Sequence, residues 1–451
     1  MTRMTKQTWR VGALDRPWTS SSTASLLGPV RLPDRATIVD AIVELACAFP
    51  HSRLGWQLDE SRTSWTWSPH EIHALAEHVV ITTDEDPSDD YSRFLTRFGN
   101  RHDLPSPATF LLAPDHLGLS LSHGVGDGRA ITQFMSGVLI TAQTGELPDW
   151  PRMGGISHPY SRALRAFFGR SPRRVAAAAR AVRPSHSWRG TRGAHGDHGE
   201  RRDAPRVQWT PKPVTIYRRV SREAIGRVRS WRASHAPGTS MAALELMLLL
   251  QAFRCAEVSL RDEVLTLFDV RRYVPRYQVD GNFVVGLLLP LTAANSVVEI
   301  GDAMTTAAER GRPLTALGFD LLTRRGPAAS PATRLANALP RLAFTHIGRP
   351  QAIERVQFRP GANPMYAASI DPADPHGITV ATTQTGGSLH LSATAHADVV
   401  DPDDVERALD MIAADPVPLL SPLDRAERAW RSVTEIPMST AFSELHDGSL
   451  A

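Results

Sequence analysis

The sequence has only two cysteines in 451 residues, Cys47 and Cys255, with no second thiol or histidine at a metal-ligand spacing. That excludes a disulfide framework, a zinc ribbon and a C-x-x-C redox centre; both thiols lie in apolar helical context and are expected to be buried. Lysine is almost missing: of 50 basic residues only Lys6 and Lys212 are lysines, set against 47 acids. A formal charge of +3 is too small for a protein coated in nucleic-acid-binding charge. The longest apolar stretches, near 246–250 and 283–291, fall far short of the roughly 20 residues that cross a bilayer, so no membrane span is expected. The first ten residues carry no apolar h-region, so no secretory signal is expected and a cytoplasmic setting is. The chain contains no G-x-x-x-x-G-K-[ST], G-x-S-x-G or H-E-x-x-H motif, and Gly124-x-Gly126-x-Gly128 runs on to Arg129 rather than completing a dinucleotide fingerprint.

The most informative stretch that is present runs from Leu117 to Gly128, LGLSLSHGVGDG. Leu117, Leu119 and Leu121 alternate with Gly118, Ser120 and Ser122, the period-two pattern of a strand with one face in the core. His123 continues the leucine phase, so its ring is expected to point inward, toward protein or cavity. After Gly128, the residues Ile131, Phe134, Met135, Val138 and Leu139 form one helical stripe. A histidine at a strand end beside a glycine-rich turn suits a general base. The same residues also fit a core histidine closing a strand–helix turn, with Asp127 as the helix N-cap.

Further along, alternation and helical periodicity predict strands at 26–32, 108–112, 117–123, 215–221, 264–269, 281–291, 378–383 and 389–396. A second strand is expected at Pro50–Trp56. Helices are predicted at 36–49, 91–98, 222–233, 241–257 and 405–414. Strands and helices intermingle in both halves, giving an α/β class. The expected organisation is an N-terminal subdomain at 1–184, a flexible linker at 185–206 and a C-terminal subdomain at 207–451. Between 161 and 184 lie seven arginines (Arg162, Arg165, Arg170, Arg173, Arg174, Arg180, Arg183) and no acid. That run reads as a solvated helix face, with a phosphate-rich partner as the alternative. His70, His73 and His78 near a short helix, and His195 and His198 in the linker, do not make a convincing metal site, and no metal is expected.

Taken in order, these residues resemble the CoA-dependent acyltransferase superfamily: chloramphenicol acetyltransferase, nonribosomal peptide synthetase condensation domains and stand-alone polyketide-associated acyltransferases. The resemblance spans most of the chain. Phe49–Leu54 (FPHSRL) is similar to an "HP-x-LR" element, and Ser122–Gly128 matches the HxxxDG active-site motif. Gly238–Leu244 resembles the helix that opens the second subdomain. Phe268–Tyr273, followed by Asp280-Gly281-Asn282, resembles a "D-x-R … G-N" pair. Thr345-His346-Ile347-Gly348 sits in a loop that often reads "S/T-N-x-G". Two departures stand out: the first histidine of the double-histidine condensation motif is Ser122 here, and His346 replaces an asparagine. The "DFGWG" motif of the plant branch is missing, which excludes that branch.

The resemblance implies two chloramphenicol-acetyltransferase-like subdomains, each a mixed sheet with packed helices, forming a V-shaped pseudo-dimer around a central tunnel. It implies an acyltransferase in which His123 is the general base and Asp127 braces the loop by an ion pair with Arg271, with Arg272 as the neighbouring alternative. Arg271 on its own also reads as a surface arginine at a strand end. The backbone N–H of Gly128, Asn282 and Thr345 are the candidates for the oxyanion or substrate. No bound cofactor is expected; the co-substrate is an acyl-CoA or a phosphopantetheinyl thioester. The expected partners are a small-molecule hydroxyl acceptor and a carrier protein as alternative donor, the protein is expected to be a monomer, and no nucleic acid is expected. The alternatives are amide formation on carrier-bound substrates and a non-catalytic carrier-docking role.

Overall fold

The computed structural model describes residues 5–101, 103–104, 107–151, 154–169, 205–276, 278–323 and 333–420. Of the expected linker only 205 and 206 fall within these. Arg170, Arg173, Arg174, Arg180, Arg183, His195 and His198 lie outside the described residues.

Two mixed sheets carry the structure. The first has five strands in the order Met365–Ile370, Ser22–Gly28, Leu117–Ser122, Ala108–Leu112 and Val80–Thr82, of which the last two run parallel. The second has six, in the order Val284–Leu289, Val264–Asp269, Arg341–Gly348, Gly377–Thr385, Ser388–His396 and Pro213–Val220. Its parallel pairs flank Arg341–Gly348 on both sides. The two sheets do not divide at one chain position: Met365–Ile370, far into the second half, forms the edge of the first sheet against Ser22–Gly28.

Leu117, Leu119 and Leu121 are fully buried, as the alternation requires. They face a core shared with the helices Arg35–Ala48 and Gly128–Thr144. In the second half the helix Met241–Cys255 is buried along nearly its whole length, because its sequence is apolar all round. The halves meet through an apolar cluster, in which Phe94 and Phe98 join Tyr217 and Met365, bordered by hydrogen bonds. The helix Tyr91–Gly99 hydrogen-bonds the outer strand of the second sheet, with Thr215 N–H donating to Thr96 Oγ1 at 2.8 Å and Tyr217 N–H to Ser92 Oγ at 3.0 Å. Thr215 Oγ1 in turn donates to Ser369 Oγ, at 2.8 Å, on the strand that crosses back.

Three local expectations are corrected. Pro50–Ser52 is a 3₁₀ turn and not a strand. Trp56 Nε1 closes it onto the Pro50 carbonyl at 2.8 Å, and Arg53 follows with φ +72°, which no strand accommodates. The segment around Thr345 and His346 is not a loop but the body of a strand, Arg341–Gly348, held between two parallel neighbours. Cys47 and Cys255 are half-buried rather than buried, because each sits near a helix end at the rim of its core. No helix among the described residues is long and apolar enough to cross a membrane.

Candidate active site

The antiparallel register of Ser22–Gly28 with Leu117–Ser122 builds the site. Ser22 faces Ser122 and Thr23 faces Leu121; one step beyond the last pair, His123 N–H donates to the Ser21 carbonyl at 2.8 Å. His123 therefore shares a face with Thr23, its diagonal neighbour across the strands, which is within reach of side chains. Thr23 Oγ1 lies 2.7 Å from His123 Nε2. The Trp18 ring packs beside the imidazole, with centroids 5.7 Å apart.

The half-buried histidine borders a cavity of about 1250 Å³ whose wall draws on both sheets: Thr23 from the first, with His123 just past the end of its neighbouring strand, and Leu265, Ala343, His346 and Thr379 from the second. Burial pushes the imidazole below its ordinary value. The charges of Asp127 and Asp371, and hydrogen bonds with the Gly126 backbone and Asn282, oppose that shift without cancelling it. The neutral form, the one able to accept a proton, is thereby favoured.

The turn that presents His123 is fixed from below. Asp127 is the N-cap of the helix Gly128–Thr144, its Oδ1 accepting from Arg129 N–H at 3.2 Å. Its other oxygen accepts from Arg271 Nη1 at 2.7 Å and from Phe283 N–H at 3.2 Å. The structure thus brings Asp127 and Arg271 together as a buried pair, and Arg271 also donates to the carbonyls of Gly281 at 2.6 Å and Val279 at 3.2 Å. Every donor aimed at Asp127 is matched, which is the condition under which a buried pair is tolerated. N-cap and ion-pair readings of Asp127 both hold, through different oxygens.

A second clamp had no counterpart in the sequence reading. Arg53 Nη1 donates to Asp15 Oδ2 at 2.8 Å and to the Val125 carbonyl at 2.9 Å, inside the glycine-rich turn. Asp15 Oδ1 accepts from Asn282 N–H at 2.9 Å. The Asn282 side-chain amide is spent on Asp15 and on the His123 carbonyl. Asn282 is thus corrected from a candidate oxyanion donor to a tie that holds the His123 backbone, since an amide has two N–H groups and both are taken.

Gly128 borders the cavity; a Cβ there would meet no atom within 4 Å. Among the described residues its N–H forms no hydrogen bond, and it sits at the positive end of a long helix. Thr345 also lines the cavity. Thr23, Asp15 and Glu245, described below, were missed because each meets its partner across 100 or more residues, a pairing that leaves no local signal. For Arg53 the FPHSRL element was a signal, although its partner was not legible. Away from the cavity, Asp86, Asp115 and His116 bring potential ligand atoms within 4.8 Å of one another, but Arg359 already occupies Asp115 Oδ2 at 2.6 Å.

Two mixed sheets with helices packed on them form a fold shared with an acetyltransferase and with peptide-synthetase condensation domains. Among solved structures, the TRI3 trichothecene 15-O-acetyltransferase from Fusarium sporotrichioides is similar at TM-score 0.55 and 11% identity, covering 90% of this chain and 94% of that one. The first condensation domain of the calcium-dependent antibiotic synthetase matches at TM-score 0.54 and 15% identity, covering 92% and 98%. The epimerization domain from the third module of tyrocidine synthetase B matches at 0.53 and 11%, covering 95% and 100%. No family model matches the sequence, and no curated protein does. At such identities the likeness establishes the fold.

Proposed function

We propose that the protein transfers an acyl group from a thioester to a hydroxyl acceptor, with His123 as general base. The observation that carries this reading is the half-buried His123 at the wall of a large cavity, its neutral form favoured by burial, with its Nε2 met by one hydroxyl, that of Thr23. A substrate hydroxyl takes up the same hydrogen bond as it enters. In the reaction the acceptor oxygen forms a bond to the thioester carbonyl carbon while its proton passes to Nε2. The C–S bond then breaks, and the departing sulfur takes up a proton and leaves as the thiol. Positioned proton transfer of this kind contributes about 10²–10⁴ in rate.

The negative charge that gathers on the carbonyl oxygen needs donors fixed in advance. The N–H of Gly128, which has no hydrogen bond among the described residues and lies at a helix N-terminus bordering the cavity, is the candidate for one. Asp127, Arg271, Asp15, Arg53 and Asn282 do not act on substrate; they hold the turn. The donor is an acyl-CoA or a carrier-bound phosphopantetheine thioester, both of which end in the same thiol chemistry. Ester formation is supported by the single histidine of the Ser122–Gly128 motif and by the fold likeness to an O-acetyltransferase. The test is release of free thiol from a panel of acyl-CoAs and acyl-carriers, with alcohol and amine acceptors, in wild type and His123→Ala. Release that persists unchanged in His123→Ala contradicts the assignment, and product formed only with amines replaces ester by amide formation.

A further inference from the structure

The cavity holds a second histidine with its own carboxylate. Glu245, 1% exposed on the helix Met241–Cys255, accepts from His346 Nδ1 at 2.7 Å. Thr382 Oγ1 donates to the same oxygen at 2.6 Å, and Gln384 Nε2 to the other at 3.0 Å. Among the described residues neither lysine nor arginine pairs with this carboxylate; His346 is the basic side chain that does. A buried carboxylate without such a partner is strongly unfavourable. His346 Nε2 forms no hydrogen bond among the described residues, and His346 lines the cavity alongside His123. Gly348 leaves room for that nitrogen: a Cβ there would lie 3.2 Å from Nε2.

We propose, building on the acyl-transfer reading, that Glu245 and His346 form a second proton-transfer dyad that protonates the departing thiolate through His346 Nε2. The balance of the step is simple. His123 takes the acceptor's proton as the C–O bond forms, His346 gives a proton to sulfur as the C–S bond breaks, and exchange with solvent resets both rings. Glu245 is a positioning residue, fixing the ring and its tautomer through Nδ1 as a carboxylate does in a hydrolase triad.

The electrostatics fit this division of labour. Burial alone would push His346 down, but the hydrogen bond and charge of Glu245 outweigh it and hold the imidazole above its ordinary value. The groups that contact it are Glu245 from the helix and Thr382 from Gly377–Thr385, with Gln384 behind on Glu245, and of these only Glu245 is charged. His123 moves in the other direction. Two titratable groups in one cavity whose environments separate their values mark a base and an acid.

The experiment compares kcat/KM for two thioesters of one acyl group, one with coenzyme A and one with thiophenol as leaving thiol, in wild type, His346→Gln and Glu245→Gln. Thiophenolate departs without a proton, whereas the alkyl thiolate needs one. The expected result is a loss of about 10²-fold or more in His346→Gln with the alkyl thioester and a much smaller loss with the aryl one. Wild type should give a bell-shaped pH profile whose falling limb vanishes in His346→Gln and moves to lower pH in Glu245→Gln. Equal losses with both thioesters, or a falling limb that survives in His346→Gln, overturn the dyad. Should His346→Gln fail to fold by thermal melting, the Glu245→Gln profile decides alone: an unmoved limb overturns the proposal. Wild type that releases no thiol from any thioester sinks the acyl-transfer reading itself, an outcome distinct from an active enzyme indifferent to His346.

Discussion

At the scale of single residues, the account turns on which atoms of His123 are engaged. Its Nε2 meets the Thr23 hydroxyl at 2.7 Å, the hydrogen bond that an acceptor hydroxyl replaces on the proposed mechanism. Thr23→Val keeps the shape and removes a hydrogen bond of roughly 1 kcal/mol that competes with the acceptor for Nε2, so kcat/KM should hold or rise by up to several-fold in steady-state kinetics; a large fall would show that Thr23 stays on the ring during the reaction. The depressed imidazole sets the acid limb of the rate. A base whose value is lowered stays neutral to lower pH, so kcat/KM should rise through a midpoint below the ordinary histidine range of about 6.5. A midpoint above it contradicts the burial argument. Removing Asp127 has a different signature. Asp127→Ala leaves the 8% exposed Arg271 with only the more exposed carboxylate of Asp269, 3.3 Å away, and removes a helix cap, so the loss should be about 2–3 kcal/mol, below the roughly 3–5 kcal/mol of a buried charge left with no partner. Denaturant unfolding should show that loss; full stability with lost activity would instead place Asp127 in the chemistry.

At the scale of elements, the helix Gly128–Thr144 carries a test of packing against propensity. Gly137 lies at its middle, and replacing glycine by alanine there gains about 1 kcal/mol of helix propensity. A Cβ at Gly137 would lie 2.2 Å from Trp150 Cζ2. That indole is wedged between Phe49 and Phe134, with centroids 5.5 and 6.0 Å away, and it lines the cavity. Overpacking costs about 1–3 kcal/mol, so Gly137→Ala should destabilise on balance and also lower activity; a higher melting temperature would show that Trp150 can yield.

Elements also show how far the sequence was legible. Leu117–Ser122, its helix and the capping Asp127 were readable because the signal is local: alternation, then a stripe, then a cap. Asp127 and Arg271 could be expected to pair only through resemblance, since 144 residues separate them. Pro50–Ser52 was misread because its few apolar residues imitate a strand, while the constraint that curls it is a tryptophan–carbonyl bond. The strand Met365–Ile370 was not foreseen at all, because nothing in its composition announces that it joins a sheet assembled from the other half of the chain.

At the scale of the molecule, that crossing strand and the seam around Thr215, Ser369 and Thr96 tie the two sheets together. Unfolding one half removes an edge of the other. Calorimetry should therefore show one cooperative transition, with calorimetric and van't Hoff enthalpies equal; two resolved transitions would mean the halves are independent. Acid sensitivity should come from His390, 1% exposed in the second sheet with Tyr217 Oη 2.8 Å from its Nδ1. Burial pushes it down to about 4. The unfolded chain binds a proton near 6.5 and the native protein does not until about 4, so this contribution is intact above pH 6.5 and lost as pH falls toward 4. The loss is about 3 kcal/mol, and His390→Gln should flatten the stability curve over that window.

The central claim is that His123 removes the acceptor's proton in acyl transfer from a thioester. The most direct measurement is the rate of thiol release from an acyl-CoA or acyl-carrier with an alcohol acceptor, in wild type and His123→Ala of equal folded stability. The account predicts a fall of about 10²–10⁴ on substitution. Release at the wild-type rate from His123→Ala would contradict it.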